Sequence, residues 1–303
     1  MRVLEIASEA VPFAKTGGLA DVAGALPEAL ARLGCETTLV IPAYREALAK
    51  GLAVEPADIA FDVPIGTRLL PARILRARLP DARAEVYLVA NDHCFDRPTL
   101  YGGAHDYPDN AERFIFFSRA ALELACRLGR RFDLIHCHDW QTGLVPAYRR
   151  LMFGGHDAVS HARTVMTVHN MAYQGLFWHW DMLLTGLDWR HFNWQEMEFH
   201  GQLNLLKTGI VFADAVTTVS PTYAREIQSV PGGCGLEGVL AARSDVLSGI
   251  VNGIDTTAWD PAADPHIPRP YAEADFDLGK YAARVALAAR LGHPAPDARP
   301  LVA

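Results

Sequence analysis

The stretch best equipped for chemistry is Lys15-Thr16-Gly17-Gly18-Leu19. It follows a short apolar run, Val3-Leu4-Glu5-Ile6-Ala7, and opens a series of apolar residues at Leu19, Val22, Leu26, Leu30 and Leu33. The spacing predicts a strand, a glycine turn and a helix. Such a junction suits an anion: two glycines let the backbone turn sharply and approach a ligand, the first helical amides lack partners, and the helix dipole adds partial positive charge. Lys15 adds a full charge. A charge-assisted hydrogen bond from it to a phosphate is worth roughly 1.5–3 kcal/mol, against roughly 0.3–1 kcal/mol for the dipole, so the lysine should dominate. The plainer alternative is a tight turn beside a solvated lysine.

In an open parallel sheet, ligands sit beyond the carboxyl ends of the strands. The residues that follow the predicted strands are Glu9 and Lys15, His138-Asp139-Trp140, His169-Asn170, Ser220 and Asn252-Gly253. This polar set is poor in paired carboxylates and suits a polyhydroxylated ligand carrying phosphates, with Trp140 or Tyr173 offering a ring to a sugar face. Each position also has a plainer use. His138 can bond within its loop, Asp139 can cap the helix near Thr142, His169 can be a satisfied strand-end histidine, and Asn252-Gly253 is a good turn dipeptide. Their shared location at strand ends favours a site over independent turns.

Other patterns fail on context. Gly233-Cys234-Gly235-Leu236-Glu237-Gly238 has dinucleotide-loop spacing but follows a helix and Pro231 where a strand is needed, so it reads as a loop entering a helix near Glu237. His136, Cys137 and His138 hint at zinc, but side chains alternate faces along a strand and no second ligand pair stands at a metal spacing, so no metal is expected. Glu196 and His200 are one helical turn apart without an HExxH motif, and no GxSxG elbow is present.

The elements that must position these residues read as an α/β, doubly wound parallel sheet. Thr37–Ile41 ends at Pro42 and completes a strand-helix-strand unit, in which Pro27 must kink the helix or start a second one. Stretches at Ile59–Val63, Ile74–Leu79 and Glu85–Ala90 predict a local meander. A helix through Leu128, a strand Asp133–His138, a helix from Thr142 to about Met152 and a strand Arg163–His169 follow, then an aromatic loop Met171–Trp194. A helix from about Gln195 to Phe212, a strand Ala215–Ser220, a helix after Pro221 and a strand Val246–Val251 complete the pattern. A helix from about Leu278 to Leu291, a linker Gly292–Pro296 and the first apolar residues of a strand at Pro300–Ala303 end the sequence, as expected of a chain cut short before a second domain.

The sequence has 303 residues, room for about two domains. Its 28 Lys and Arg against 35 Asp and Glu leave a net charge of −7, and no basic run appears, which argues against nucleic acid as a partner. No apolar run reaches the roughly 18 residues of a membrane span, and no signal-peptide core opens the chain. The expectation is a cytoplasmic protein without a membrane partner. Five cysteines with no CxxC pair fit reduced thiols.

In order along the chain, Lys15-Thr16-Gly17-Gly18-Leu19-Ala20-Asp21-Val22, His138-Asp139-Trp140, Thr167-Val168-His169-Asn170-Met171-Ala172-Tyr173-Gln174-Gly175, Val219-Ser220-Pro221-Thr222-Tyr223-Ala224 and Asn252-Gly253-Ile254-Asp255 resemble the motifs of bacterial glycogen synthases and plastid starch synthases. The resemblance runs from Met1 to about Asp260, and it implies that residues 1–245 form a Rossmann-like acceptor-side domain and residues 246–303 an interdomain crossing and the start of a truncated nucleotide-binding domain. It implies a two-domain GT-B glycosyltransferase that moves glucose from ADP-glucose, with retention, to the non-reducing 4-hydroxyl of an alpha-1,4-glucan such as glycogen. Those two substrates are the implied partners, and no cofactor is implied beyond the co-substrate ADP-glucose. It implies that Lys15 contacts the donor phosphates, with Gly17 and Gly18 allowing backbone approach, and that His169 lies against the donor glucose beside Asn170. His169 and Asp139 become the catalytic candidates, Asn252 a donor-side residue near the domain crossing, and Glu9, Asp21, Trp140 and Tyr173 acceptor or sugar contacts. In the family the other domain supplies an Arg-Lys pair, a glutamate and most of the adenine pocket, so these 303 residues alone are expected to be inactive or very weak.

The transfer has an oxocarbenium-like transition state and a diphosphate leaving group, so cations and amides near the departing oxygens are the main lever. No carboxylate is obviously placed as a nucleophile, which favours same-face displacement. The alternative is a glucan-binding or regulatory module that has lost turnover. A nicotinamide oxidoreductase on a similar sheet is disfavoured, because no GxGxxG follows the first strand.

Overall fold

Val3, Leu4, Glu5 and Ile6 are all buried, which a strand achieves when both faces of its sheet are covered. In the computed structural model, which describes residues 1–77, 83–256 and 259–293, they form β1 (Arg2–Ile6). The chain continues through α1 (Gly18–Arg32), β2 (Glu36–Pro42), α2 (Arg45–Ala49), β3 (Val54–Ile65), β4 (Arg68–Ala77), β5 (Glu85–Ala90), α3 (Asp92–Phe95) and α4 (Asn110–Arg127). Next come β6 (Leu134–His138), α5 (Leu144–Leu151), β7 (Arg163–Val168), β8 (Leu176–Trp178), α6 (Met182–Thr185), β9 (Glu198–Phe199), β10 (Gln202–Asn204) and α7 (Leu205–Phe212). β11 (Ala215–Thr218), α8 (Pro221–Glu226), α9 (Glu237–Ala241), β12 (Leu247–Gly249) and α10 (Phe276–Arg290) complete it.

Nine strands form one sheet in the order β12-β11-β7-β6-β1-β2-β5-β4-β3. Every pairing from β12 to β5 is parallel, and β4 runs antiparallel to both β5 and β3. The expected α/β doubly wound sheet and its local meander are thus present. Helix α4 packs deeply, with Phe114, Ile115, Phe116 and Phe117 fully buried. Its Arg113 is also buried, and the guanidinium donates to the Cys94 and Leu100 carbonyls and to the Asn110 side chain at 2.6–2.9 Å.

Of the two readings of Pro27, the second helix does not form: the proline lies inside α1, a single element through Arg32. One expectation changes, because the helix expected from Gln195 begins only at Leu205. His200 and Gly201 take φ of 50° and 79° and turn the chain into the β9-β10 hairpin, which with β8 makes a small separate sheet. Asn204 then caps α7 by accepting from the Lys207 amide at 2.8 Å.

The chain divides into two compact units, Met1–Asn252 and Gly253–Ala303. Because β12 pairs with β11, it belongs to the first unit and not to the crossing expected from residue 246. In the second unit Tyr271 packs edge-on to Phe276, with ring centroids 6.1 Å apart, and covers Gly279 of α10. The strand expected at Pro300–Ala303, part of the linker before it and Leu79 of the meander lie outside the described residues. Among the described residues no helix is long and apolar enough to cross a membrane.

Candidate functional site

The loop after β1 is held from inside. Glu9 is buried, and its carboxylate accepts the Thr16 amide and, at 3.0 Å, the Thr16 hydroxyl. Burial raises its pKa while the Thr16 donors pull it down. Glu9, expected to meet a sugar, therefore acts as a buckle on the loop that carries Lys15. Gly17 is the N-cap of α1 in an extended conformation, with no side-chain cap. A Cβ added at Gly17 or Gly18 would meet nothing within 4 Å, so neither glycine is required by contacts within the chain. The half-exposed Lys15 ammonium is bonded to both oxygens of Asp21 at 2.7 and 2.8 Å. Asp21, expected as a sugar contact, is its counter-ion, and an exposed pair of this kind is worth only about 0–1 kcal/mol. A phosphate can displace it at little cost.

The second half of the site rests on a polar thread across the sheet centre. Register places Glu5 opposite His136, and His138 and Thr217 on either side of Thr167. Glu5 Oε2 lies 2.9 Å from His136 Nδ1 and 3.1 Å from His138 Nε2. His138 Nδ1 is 3.0 Å from His169 Nε2, and His136 Nε2 is 2.6 Å from the Thr167 hydroxyl. Burial alone would raise the Glu5 pKa, but His136 and His138 outweigh it and hold the group at about 2. An ionised carboxylate only accepts, so His136 Nδ1 and His138 Nε2 carry protons. Burial, then repulsion from His136, lowers the His138 pKa against the pull of Glu5, so its ring is neutral and Nδ1 accepts. His169 Nε2–H is then the donor, and its Nδ1 is left with a free lone pair. Burial, followed by repulsion from His138 and His136, lowers the His169 pKa to about 3, so this ring too is neutral at physiological pH.

The zinc argument from strand alternation is corrected here: residues two apart share a face, and Glu5, His136 and His138 bring three ligand-type atoms within 4.8 Å of one another. In the structure those nitrogens are hydrogen-bond donors to Glu5.

Asp139 sits at φ 54°, ψ −176°, a conformation costing about 1–3 kcal/mol outside glycine. Its amide donates to the Thr167 carbonyl at 3.0 Å, its carbonyl accepts from the Thr142 amide at 3.1 Å, and its carboxylate accepts from the His169 amide at 2.7 Å. Asp139 thus fixes the backbone that carries His169. The charge on Glu9 adds to the upward push on the Asp139 pKa. Trp140, expected to face a sugar, is only 7% exposed. Its ring packs edge-on to Phe114 and Phe177 with centroids at 5.0 and 5.6 Å, and Gly175 (φ 62°) comes so close that an added Cβ would lie 2.5 Å from it. The open ring is Tyr173, 66% exposed. Asn170 accepts from the Ala172 amide at 2.9 Å and shapes the same turn. Ser220 caps α8 through the Tyr223 amide at 2.9 Å. Asn252, the exposed last residue of the first unit, shares none of these contacts.

Burial pushes the Asp139 pKa up to about 7, against the amide donors of His169 and Asn170. A carboxylate raised in the folded state stabilises below its unfolded pKa of about 3.9 and loses that contribution as pH rises to about 7. Asp139→Asn removes this dependence. Its stability relative to the unaltered protein should therefore be lower by about 2 kcal/mol at pH 5 than at pH 7, read from paired urea titrations.

A large, mostly parallel sheet with a cluster of polar strand ends is an open α/β fold of the class whose ligands bind beyond the strands' carboxyl ends. Residues 2–242 match the family model described as the starch synthase catalytic domain. The chain belongs to that family. It is 49% identical over 304 residues to the glycogen synthase of Anaeromyxobacter sp. (strain Fw109-5), covering 100% of this chain and 62% of the relative. It is 43% identical to the glycogen synthase of Rhodopirellula baltica, with the same coverage. The catalytic domain of starch synthase IV from Arabidopsis thaliana, bound to ADP and acarbose, superposes with a TM-score of 0.87 at 33% identity, covering 98% of this chain and 60% of that one. The chain thus spans about three-fifths of the length of these relatives.

Proposed function

We propose that this chain is the acceptor-side part of a glycogen synthase that moves glucose from ADP-glucose, with retention, onto the non-reducing end of an alpha-1,4-glucan. The observation that carries the reading is the loop Lys15–Gly18: a buckled turn, two glycines with open space before them, and a lysine held only by a displaceable exposed pair. That arrangement suits a diphosphate. The starch synthase IV structure is bound to ADP, and we carry the nucleotide over to this chain.

In this mechanism Lys15 and the amides at the start of α1 draw charge off the departing diphosphate. His169 presents a neutral ring whose Nδ1 accepts from a donor-sugar hydroxyl, and Asp139 and His138 hold it in place. The incoming 4-hydroxyl attacks from the side of the departing phosphate, which takes its proton. Charge is met by side chains and amides, and no metal or other cofactor is invoked.

The test is incorporation of labelled glucose from ADP-glucose into glycogen by the full-length protein, with the product then cut by a hydrolase specific for alpha-1,4 linkages. Glycogen binding without transfer would identify a glucan-binding module instead.

A further inference from the structure

Glu5 carries more ligand capacity than its neighbours use. Its Oε2 takes both ring nitrogens, His136 Nδ1 at 2.9 Å and His138 Nε2 at 3.1 Å. Its Oε1 is buried and meets no hydrogen-bond donor among the described residues. An orphaned buried carboxylate oxygen calls for a cause. The three side chains stand on the adjacent parallel strands β1 and β6, not on loops, and the two rings are neighbours with centroids 4.2 Å apart. Sheet register thus holds all three ligand-type atoms within 4.8 Å of one another.

We propose that Glu5, His136 and His138 form an inhibitory zinc site which, when filled, reverses the proton arrangement at His169. Two imidazole nitrogens and one carboxylate are a set that zinc takes in three-ligand sites with an open fourth position. Ligands at about 2.0–2.2 Å in a tetrahedron stand roughly 3.3 Å apart. Shifts of a few tenths of an ångström from the present 2.9 and 3.1 Å therefore admit the ion. A cation also answers the charge of a carboxylate that is only 1% exposed. Entry runs along His136, at 13% exposure the most open of the three.

The proton count decides the consequence. Zinc binds through the nitrogens that now carry protons, His136 Nδ1 and His138 Nε2, so each ring keeps its one proton on the other nitrogen. His136 Nε2–H then donates to the Thr167 hydroxyl at 2.6 Å, which can turn to Thr217 at 2.6 Å. His138 Nδ1–H faces His169 Nε2 at 3.0 Å. His169 must accept there, and its single proton moves to Nδ1. The nitrogen that takes a donor-sugar hydroxyl becomes a donor, and no proton is gained or lost overall. Binding of the ion stands on geometry alone, whereas its effect on transfer rests on the proposed function.

The test titrates the full-length protein with zinc against a chromogenic chelator, in a Cys234→Ser background that removes an exposed thiol. One zinc should bind that His136→Gln and Glu5→Gln each weaken by roughly 100-fold or more, since losing even a partner of a metal ligand costs about 10–100-fold. Cobalt(II) in the parent should show the strong visible absorption of a four-coordinate nitrogen and oxygen site. Zinc should suppress glucose transfer by the parent, and a chelator should restore it. The zinc needed for half-inhibition should rise by the same factor in His136→Gln, measured against that variant's own metal-free rate. Magnesium, which prefers oxygen ligands, should have no effect. Equal zinc affinity in parent and variants overturns the inference, as does equal inhibition, which would place the ion elsewhere. Zinc held at the site without inhibition overturns it too, because the link to His169 fails. Melting curves identify a variant that does not fold, and the cobalt spectrum of the parent then decides, its absence overturning the site. If the unaltered protein transfers no glucose but loses the zinc on substitution, the proposed function has failed while the metal site stands.

Discussion

Replacing Lys15 by alanine in the full-length protein should lower kcat/KM for ADP-glucose by roughly 10- to 150-fold, the worth of one charge-assisted hydrogen bond to a phosphate. Removing its counter-ion is the contrasting case. Asp21→Ala breaks an exposed pair worth about 0–1 kcal/mol and frees the ammonium, so donor KM should hold or fall slightly. Glycogen affinity should be unaffected by either change. Equal losses in the two variants would mean that the pair works as a structural unit, and the assignment of Lys15 to the diphosphate would fail. Arginine at 15 keeps the charge but spreads it over a planar fork, so partial recovery is expected.

The second large effect is expected at His169. Removing a well-placed polar group from a water-excluded site costs about 10²–10³ in kcat, and His169→Ala should fall in that range with a smaller change in donor KM. His138→Ala leaves the ring at 169 in place but without the partner 3.0 Å from its Nε2. A loss of about tenfold in kcat is expected there, as orientation is relaxed. The pH dependence separates roles. With its pKa lowered to about 3, His169 stays neutral throughout the working range, so it should add no limb to kcat between pH 5 and 8. An acid limb near pH 6.5 that survives Asp139→Asn and vanishes in His169→Gln would show a titrating base and contradict a neutral acceptor. In stability the sign is fixed by the same shift. A histidine depressed on folding contributes above its unfolded pKa of about 6.5 and loses that contribution as pH falls towards about 3. Asp139 acts in the opposite sense over much of that window, so single variants reveal what the unaltered protein conceals.

The parallel strands were readable because each is a run of β-branched or apolar residues closed by a polar strand end, and burial on both faces demands such runs. Glu9, His138, Asp139 and His169, whose polar groups the structure ties to neighbouring residues, follow those same strands. Misreadings came where a contact depends on a distant partner. Residues 195–204 contain Gln, Glu and Met, good helix formers, yet the turn at His200-Gly201 and pairing with β8 make hairpin strands of them. Trp140 stands beside strand-end polar residues, but Gly175 and Phe177 close over it from a loop far along the chain. Glu5 is a charged residue within the apolar run Val3–Ala7. Its purpose is visible only once β6 lies next to β1, because register alone sets the carboxylate against His136.

The meander has a consequence for association. At the outer edge of the sheet, β3 presents Glu55, Asp58 and Asp62 outward, carries Pro56 and Pro64, and has an irregular step between Pro56 and Ala60. An edge so interrupted and so acidic offers a poor template for an added strand. The opposite margin, β12, is three residues long. Growth into fibres by strand addition is therefore disfavoured at both margins.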